Sequence, residues 1–109
     1  AFGAYDGDEL VGGLIAETRA WNQSLWVHEF HVAADRRGQG IGRMLMEHAA
    51  AEAKAAGLRV IVCETQNQNA NAIQAYRALG FRLEGVDISY YSNEDYPDRG
   101  IAVFMKRRL

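Results

Sequence analysis

The sequence predicts an α/β fold of the α+β kind: a mixed, mostly antiparallel central sheet flanked by helices, in the order β-β-β-α-β-α-β-β. Three observations carry this reading. An Asp-Gly turn separates two alternating segments near the start, a three- and four-residue period sets in at Ile41, and a β-branched apolar run occupies residues 59–64.

Each element follows from its own pattern. Phe2 to Tyr5 and Leu10 to Glu17 flank Asp6-Gly7-Asp8, whose Asp-Gly pair accepts the positive φ of a hairpin turn, so two antiparallel strands are expected. Thr18 to Ser24 reads as a loop. Leu25 to Val32 alternates, with Trp26, His28, Phe30 and Val32 on a mainly apolar face and Val27, Glu29 and His31 on the other. From Ile41, the positions Met44, Leu45, His48, Ala49, Ala53 and Ala56 form a helical stripe that Gly57 stops.

Arg59 to Glu64 then reads as a strand covered on both faces, which implies a right-handed crossover from the third strand. Asn69 or Asn71 caps a second helix with Ile73, Tyr76 and Leu79 on its stripe, ended by Gly80. Phe81 to Leu83 starts a strand that Ile88 to Tyr91 continues or follows. Ser92 to Gly100 is a loop, and Ile101 to Met105 closes the sheet.

With 109 residues, 49% of them hydrophobic and 24% charged, the chain suits one folded domain without linker or repeat. A net charge of −2 argues against broad nucleic-acid binding, which needs many Lys and Arg residues to neutralise phosphates. No stretch approaches the ~20 apolar residues of a membrane span and no signal-peptide pattern opens the chain, so no membrane role and a cytoplasmic location are expected. Cys63, the only cysteine, lies in an apolar run and is expected to be buried and structural. The three histidines lack metal-ligand spacing, so no metal is expected.

The chemistry concentrates in Arg36-Arg37-Gly38-Gln39-Gly40-Ile41-Gly42. Three glycines in five residues let the backbone approach a ligand, and a helix starting there turns its unpaired N–H groups and positive dipole end toward the loop. Such an arrangement holds phosphate, and adjacent guanidinium groups suit phosphate oxygens. The spacing fits neither a Walker loop, which needs Lys-Ser/Thr after its last glycine, nor the Gly-x-Gly-x-x-Gly of a dinucleotide fold.

Arg37-x-x-Gly40-x-Gly42 after a strand ending in Val32 resembles the acetyl-CoA pyrophosphate loop of the GNAT N-acetyltransferases. Glu64-Thr65-Gln66, Asn69, Ala72-Ile73, Tyr76 and Gly80-Phe81 resemble the family's second half in the same order. The resemblance covers nearly the whole chain and implies the GNAT acyl-CoA N-acyltransferase fold, residues 1–109 forming a single domain. The strand and two helices that usually precede these elements are absent, and Ala1-Phe2-Gly3-Ala4-Tyr5 reads as a strand already under way, so an N-terminally truncated domain is expected.

The same resemblance implies acetyl-CoA as cosubstrate and a primary amine as acceptor, the amine attacking the thioester directly through a tetrahedral oxyanion. Cofactor contacts are implied at Phe30, His31 and Val32 along the pantetheine arm, at Arg37, Gly38, Gln39, Gly40, Ile41, Gly42 and Arg43 around the pyrophosphate, and at Asn69 and Tyr76. Tyr76 is implied as the acid that protonates the leaving thiolate, against a plain packing role, and Asn69 as a cofactor contact or only a helix cap. The base is left to Glu29, then His31, then a water chain or a residue outside the chain; His28 is expected to pack, and His48 to be a helix-face residue. Residues 64–69, 81–87 and 90–93 are similar to the streptothricin acetyltransferase branch, and Asp87, Glu94, Asp95 and Asp98 could draw in a polycationic acceptor. A non-catalytic acyl-CoA-binding module, a protein or peptide N-acetyltransferase, and pairing with a second copy through edge strands are the competing expectations.

Overall fold

The protein is described from a computed structural model that covers residues 2–109. Its elements follow the expected order: β1 (Phe2–Asp6), β2 (Glu9–Arg19), β3 (Ser24–Val32), α1 (Ile41–Ala55), β4 (Val60–Gln66), α2 (Ala70–Ala78), β5 (Arg82–Asp87) and β6 (Ala102–Arg108). Single 3₁₀ turns at Ala20–Asn22 and Ala34–Arg36 interrupt the connections on either side of β3. The chain divides into two compact units, one reaching to Ile61 and joined by Leu109, the other Val62–Arg108.

In the first unit β1, β2 and β3 lie side by side, each pair antiparallel, with Gly7 at φ 62° in the turn between β1 and β2. α1 packs on this three-stranded layer. Ala4, Val11 and Leu45 form a buried cluster against which Phe2, Phe30 and Ile41 pack, so residues from three strands and the first turns of α1 share one core. Burial of apolar surface of this kind is the main force holding helix to sheet.

The alternation expected of β3 fails at one place. Ile15 pairs with Glu29 but Ala16 pairs with Val27, so His28 is the extra residue of a β-bulge. Leu25 and Val27 are therefore buried, and His28 points to solvent, its ring 3.4 Å from the Glu17 carboxylate, rather than packing. The stripe of α1 also differs from the expected one: Leu45, Met46, Ala49, Ala50 and Ala53 are its buried residues, whereas Met44 is 58% exposed.

In the second unit β6 lies between β4 and β5, and β5 runs antiparallel to β6 with Glu84 as a bulge. The continuous apolar run Val60 to Cys63 is buried throughout, as expected of a strand covered on both faces. α2 begins at a cap: Asn69 Oδ1 accepts the Ala72 N–H at 3.1 Å. Ile88 to Tyr91 form turns and bends rather than a strand.

Candidate active site

One candidate site, within the first unit, is the corner between β3 and α1. After Val32 the Ala33 N–H donates to the Val11 carbonyl (2.7 Å), and the 3₁₀ turn brings the chain to Arg37 in extended conformation. Gly38 and Gly40 follow with φ of 81° and 83°, a left-handed conformation that L side chains rarely adopt. A β-carbon at either would have no atom within 4 Å, so the loop faces open space. Gly40 is the N-cap of α1; no side chain caps this end, and no acidic residue lies in its first turn. The donors that Asn69 satisfies at the start of α2 are thus left at α1 to whatever approaches the loop.

The two arginines separate in role. Arg37 is exposed, its Nε donating to the Val32 carbonyl at 3.4 Å. Arg36 turns away from the loop and is engaged by Asp6 (2.6 Å), Glu9 (3.3 Å) and Asp35 (3.9 Å). The two adjacent guanidiniums, both expected to suit phosphate, thus differ in surroundings, Arg36 being paired with carboxylates and Arg37 exposed. Gln39 and Arg43 are exposed, Ile41 is half-buried in the core cluster, and Gly42 lies against Phe30. Along β3, Phe30 and Val32 are half-buried while Glu29 and His31 are both exposed, in keeping with a shared face.

A separate group of candidate residues, within the second unit, lies on β4, α2 and the loop before β6. Tyr76 and Cys63 are joined by a hydrogen bond, and the Tyr76 ring packs on Phe81 with centroids 5.5 Å apart. Burial pushes the Cys63 thiol up to about 12, so it stays protonated and no thiolate nucleophile is available. Burial, then the neighbouring Cys63 and Glu64, likewise raises Tyr76, which keeps its O–H throughout the physiological range. Asn69 is the cap of the same helix and Tyr76 lies two turns on, so the structure brings both onto α2.

Sequence reasoning missed a carboxylate here. Glu64, beside Cys63 on β4, accepts a hydrogen bond from the Tyr91 hydroxyl, and its charge acts on Tyr76. Nothing local in the sequence ties Glu64 to Tyr91, 27 residues away. Asp95, expected to attract a cationic acceptor, is instead 2% exposed: it accepts from the Tyr91 N–H and the Ser92 hydroxyl, both at 2.8 Å, and organises the loop. Among the described residues no group of three or more His, Cys, Asp or Glu is arranged to hold a metal ion.

An antiparallel three-stranded layer leading into an uncapped glycine loop at a helix start, followed by a strand, a helix and two further strands, is the arrangement of an acyl-CoA N-acyltransferase fold. Residues 1–81 match the family model described as "Acetyltransferase (GNAT) family", and the chain belongs to that family. It is 46% identical over 86 residues to a streptothricin acetyltransferase of Streptomyces lavendulae, covering 79% of this chain and 45% of that protein. A streptothricin acetyltransferase of Escherichia coli is 30% identical over 103 residues, 94% of this chain and 59% of the relative. The solved structure of a nourseothricin acetyltransferase superposes with a TM-score of 0.83 at 36% identity, covering 94% of this chain and 60% of that one. The chain thus spans between 45% and 60% of the length of these relatives. Its fold is the family's mixed α/β fold, a mostly antiparallel central sheet flanked by helices.

Proposed function

We propose that this chain binds acetyl-CoA and serves an N-acetyltransferase that moves the acetyl group to a primary amine of a small molecule, with streptothricin-type antibiotics as the first acceptors to test. The observation that carries the reading is the corner at Gly38–Gly40, where two left-handed glycines open the backbone ahead of a helix start that no side chain caps. Membership of the GNAT family and the likeness to two streptothricin acetyltransferases support the reaction class and the acceptor.

In this reading the N–H groups from Gly38 to Gly42 receive the pyrophosphate, with Arg37 adding positive charge, and residues Phe30 to Val32 accompany the pantetheine arm. The amine nitrogen attacks the thioester carbonyl, and collapse of the tetrahedral oxyanion breaks the C–S bond and releases CoA thiolate. Tyr76 is assigned to the departing sulfur. A phenol raised above its ordinary value of ~10 is a weaker acid than a thiol near ~8.5, so its contribution is a hydrogen bond to the thiolate rather than complete proton transfer. The acceptor must lose a proton before it attacks. Exposed Glu29 is the candidate base from β3, and Glu64, placed to act electrostatically on Tyr76, is the candidate the structure adds.

The test measures release of free CoA thiol from acetyl-CoA in the presence of streptothricin, a set of small polyamines, lysine and an N-terminal peptide. Turnover greatest with streptothricin is the expected result. CoA binding with no turnover on any amine would reduce the chain to a binding module, and absence of CoA binding would remove the whole reading.

A further inference from the structure

We propose that Arg36 is a positioning residue for the glycine loop: it fastens the entry of the loop to the β1–β2 turn and takes no part in holding a ligand itself. Asp6 is the last residue of β1 and Glu9 the first of β2, so the two carboxylates stand on either side of the two-residue turn. Arg36 is the last residue of the 3₁₀ turn and is followed directly by the segment Arg37 to Gly40. Its Nη1 donates to Asp6 Oδ2 at 2.6 Å and its Nη2 to Glu9 Oε2 at 3.3 Å, while Nε lies 3.9 Å from Asp35 Oδ2.

An isolated exposed ion pair contributes little, because water competes for both charges. This contact differs in kind. One planar guanidinium spans two carboxylates, and the Arg36 side chain is only 22% exposed. The backbone continues the same tie: Arg36 N–H donates to the Ala33 carbonyl (2.9 Å) and Ala33 N–H to the Val11 carbonyl (2.7 Å). Within the loop Gly38 and Gly40 carry no side chain, and Arg37 makes one long hydrogen bond, to the Val32 carbonyl (3.4 Å). A segment with two left-handed glycines has many alternatives to its ordered conformation, and fixing the residue that precedes it reduces their number before any ligand arrives. Arg36 raises the order of the loop in this way, and its charge is spent on Asp6 first, then on Glu9 and Asp35.

Two variants of the 109-residue chain test this: Arg36→Ala, and the double variant Asp6→Asn/Glu9→Gln, which keeps Arg36 and removes the charges of its two hydrogen-bond partners across the β1–β2 turn. The first measurement is NMR backbone relaxation without any ligand. Both variants should show lower order parameters at residues 37–42 while Leu45, Met46 and Ala49 in the core of α1 keep theirs, a pattern that general destabilisation does not produce. Unchanged order in the loop, or a loss in Arg36→Ala alone, overturns the proposal. Arg36→Lys, which keeps the charge but cannot bridge both carboxylates, should fall between wild type and Arg36→Ala and serves if the alanine variant fails to fold.

The second measurement is CoA affinity, and this arm rests on the function proposed above. Both variants should bind CoA about tenfold more weakly, the scale of one charge-assisted contact. Were Arg36 a direct phosphate contact, the double variant would bind CoA at least as tightly as wild type, because two nearby negative charges disappear and the guanidinium is released. That opposite sign overturns the proposal. If wild type binds no CoA yet loop order responds as expected, the clamp stands and the phosphate-loop reading falls.

Discussion

Gly42 lies under the Phe30 ring: a β-carbon on residue 42 would sit 3.3 Å from Phe30 Cζ and 3.6 Å from Val32 Cγ2. The first turn of α1 thus rests on the end of β3 with room for little more than a hydrogen. Gly40, two residues earlier, presents the reverse case, with open space around its β-position and a left-handed backbone at φ 83°. Alanine should therefore act differently at the two sites. Gly42→Ala gains helix propensity of about 1 kcal/mol and loses a similar amount to the crowding of Phe30, leaving stability near wild type. Gly40→Ala must hold an L residue in the left-handed region at about 1–2 kcal/mol, and its methyl projects into the space proposed for the pyrophosphate. Thermal unfolding and CoA titration of both variants check this. A Gly40→Ala protein that binds CoA as tightly as wild type would remove the loop amides from the proposed site.

Tyr76→Phe keeps the ring on Phe81 and deletes only the hydroxyl that meets Cys63. If the hydroxyl faces the departing thiolate, kcat should fall roughly 100- to 1,000-fold, the range for losing one hydrogen-bond donor to developing charge, with CoA affinity little changed. Because burial, Cys63 and Glu64 all raise its pKa, no loss of rate from Tyr76 ionisation should be seen up to about pH 10, the ordinary value for tyrosine. Steady-state rates across pH 6 to about 10 decide the matter. An unchanged kcat in Tyr76→Phe with chemistry rate-limiting leaves the residue a packing role.

Most elements were legible because they follow two-residue or 3.6-residue periods and are punctuated by Asp-Gly, Asn and Gly. Asn69 and Gly80 bracket α2 as their residue types predict, and the unbroken run Val60 to Cys63 is buried as such runs are. The misses share a cause: each depends on a partner distant in sequence. A bulge opposite Ile15 and Ala16 moved His28 off the apolar face, since one inserted residue reverses the alternation. Tyr90 and Tyr91 have high strand propensity, yet hydrogen bonds to Asp95 hold the segment in a loop. Arg36 looked like a second phosphate ligand beside Arg37, and only folding brings Asp6 and Glu9, 30 and 27 residues away, against it. In α1 a helix rich in Ala and Met fits several apolar stripes, so its phase was misread by part of a turn.

That phase is open to a direct measurement. Met46 is fully buried, while Met44 is 58% exposed. Met46→Ala should cost about 2–5 kcal/mol through lost burial and the cavity left behind, a large share of the ~5–15 kcal/mol available to a small domain. Met44→Ala should stay within about 0.5 kcal/mol of wild type, as alanine is the better helix former and no buried contact is lost. Urea unfolding of the two variants distinguishes the observed stripe from the one expected from the sequence, under which Met44 would be the costly site.

The last prediction concerns acid. Burial pushes the Asp95 carboxyl up, but the Ser92 hydroxyl, the Tyr91 and Ser92 N–H groups and the charge of Arg99 outweigh it, so Asp95 lies below its ordinary value. A carboxyl whose pKa is lower folded than unfolded releases its proton more readily in the native state. The stability it contributes is complete above the unfolded value of ~3.9 and is lost as pH falls through the lower folded value. Glu84, lowered chiefly by its hydrogen bond from Arg108, adds to the same acid limb, but its partners are exposed and the pair contributes less. Asp95→Asn cannot accept from both Tyr91 and Ser92 with a charged group, so its Tm near neutral pH should be lower than wild type. The two melting curves should then converge as pH drops below ~3.9, where wild-type Asp95 is itself becoming neutral. Amide exchange of Tyr91 at neutral pH should accelerate in the same variant, because its N–H trades the 2.8 Å bond to a charged carboxylate for at best a weaker one to a neutral amide oxygen. A constant gap in Tm between wild type and Asp95→Asn from neutral pH down through the acid limb would show that the carboxylate charge does not hold this loop.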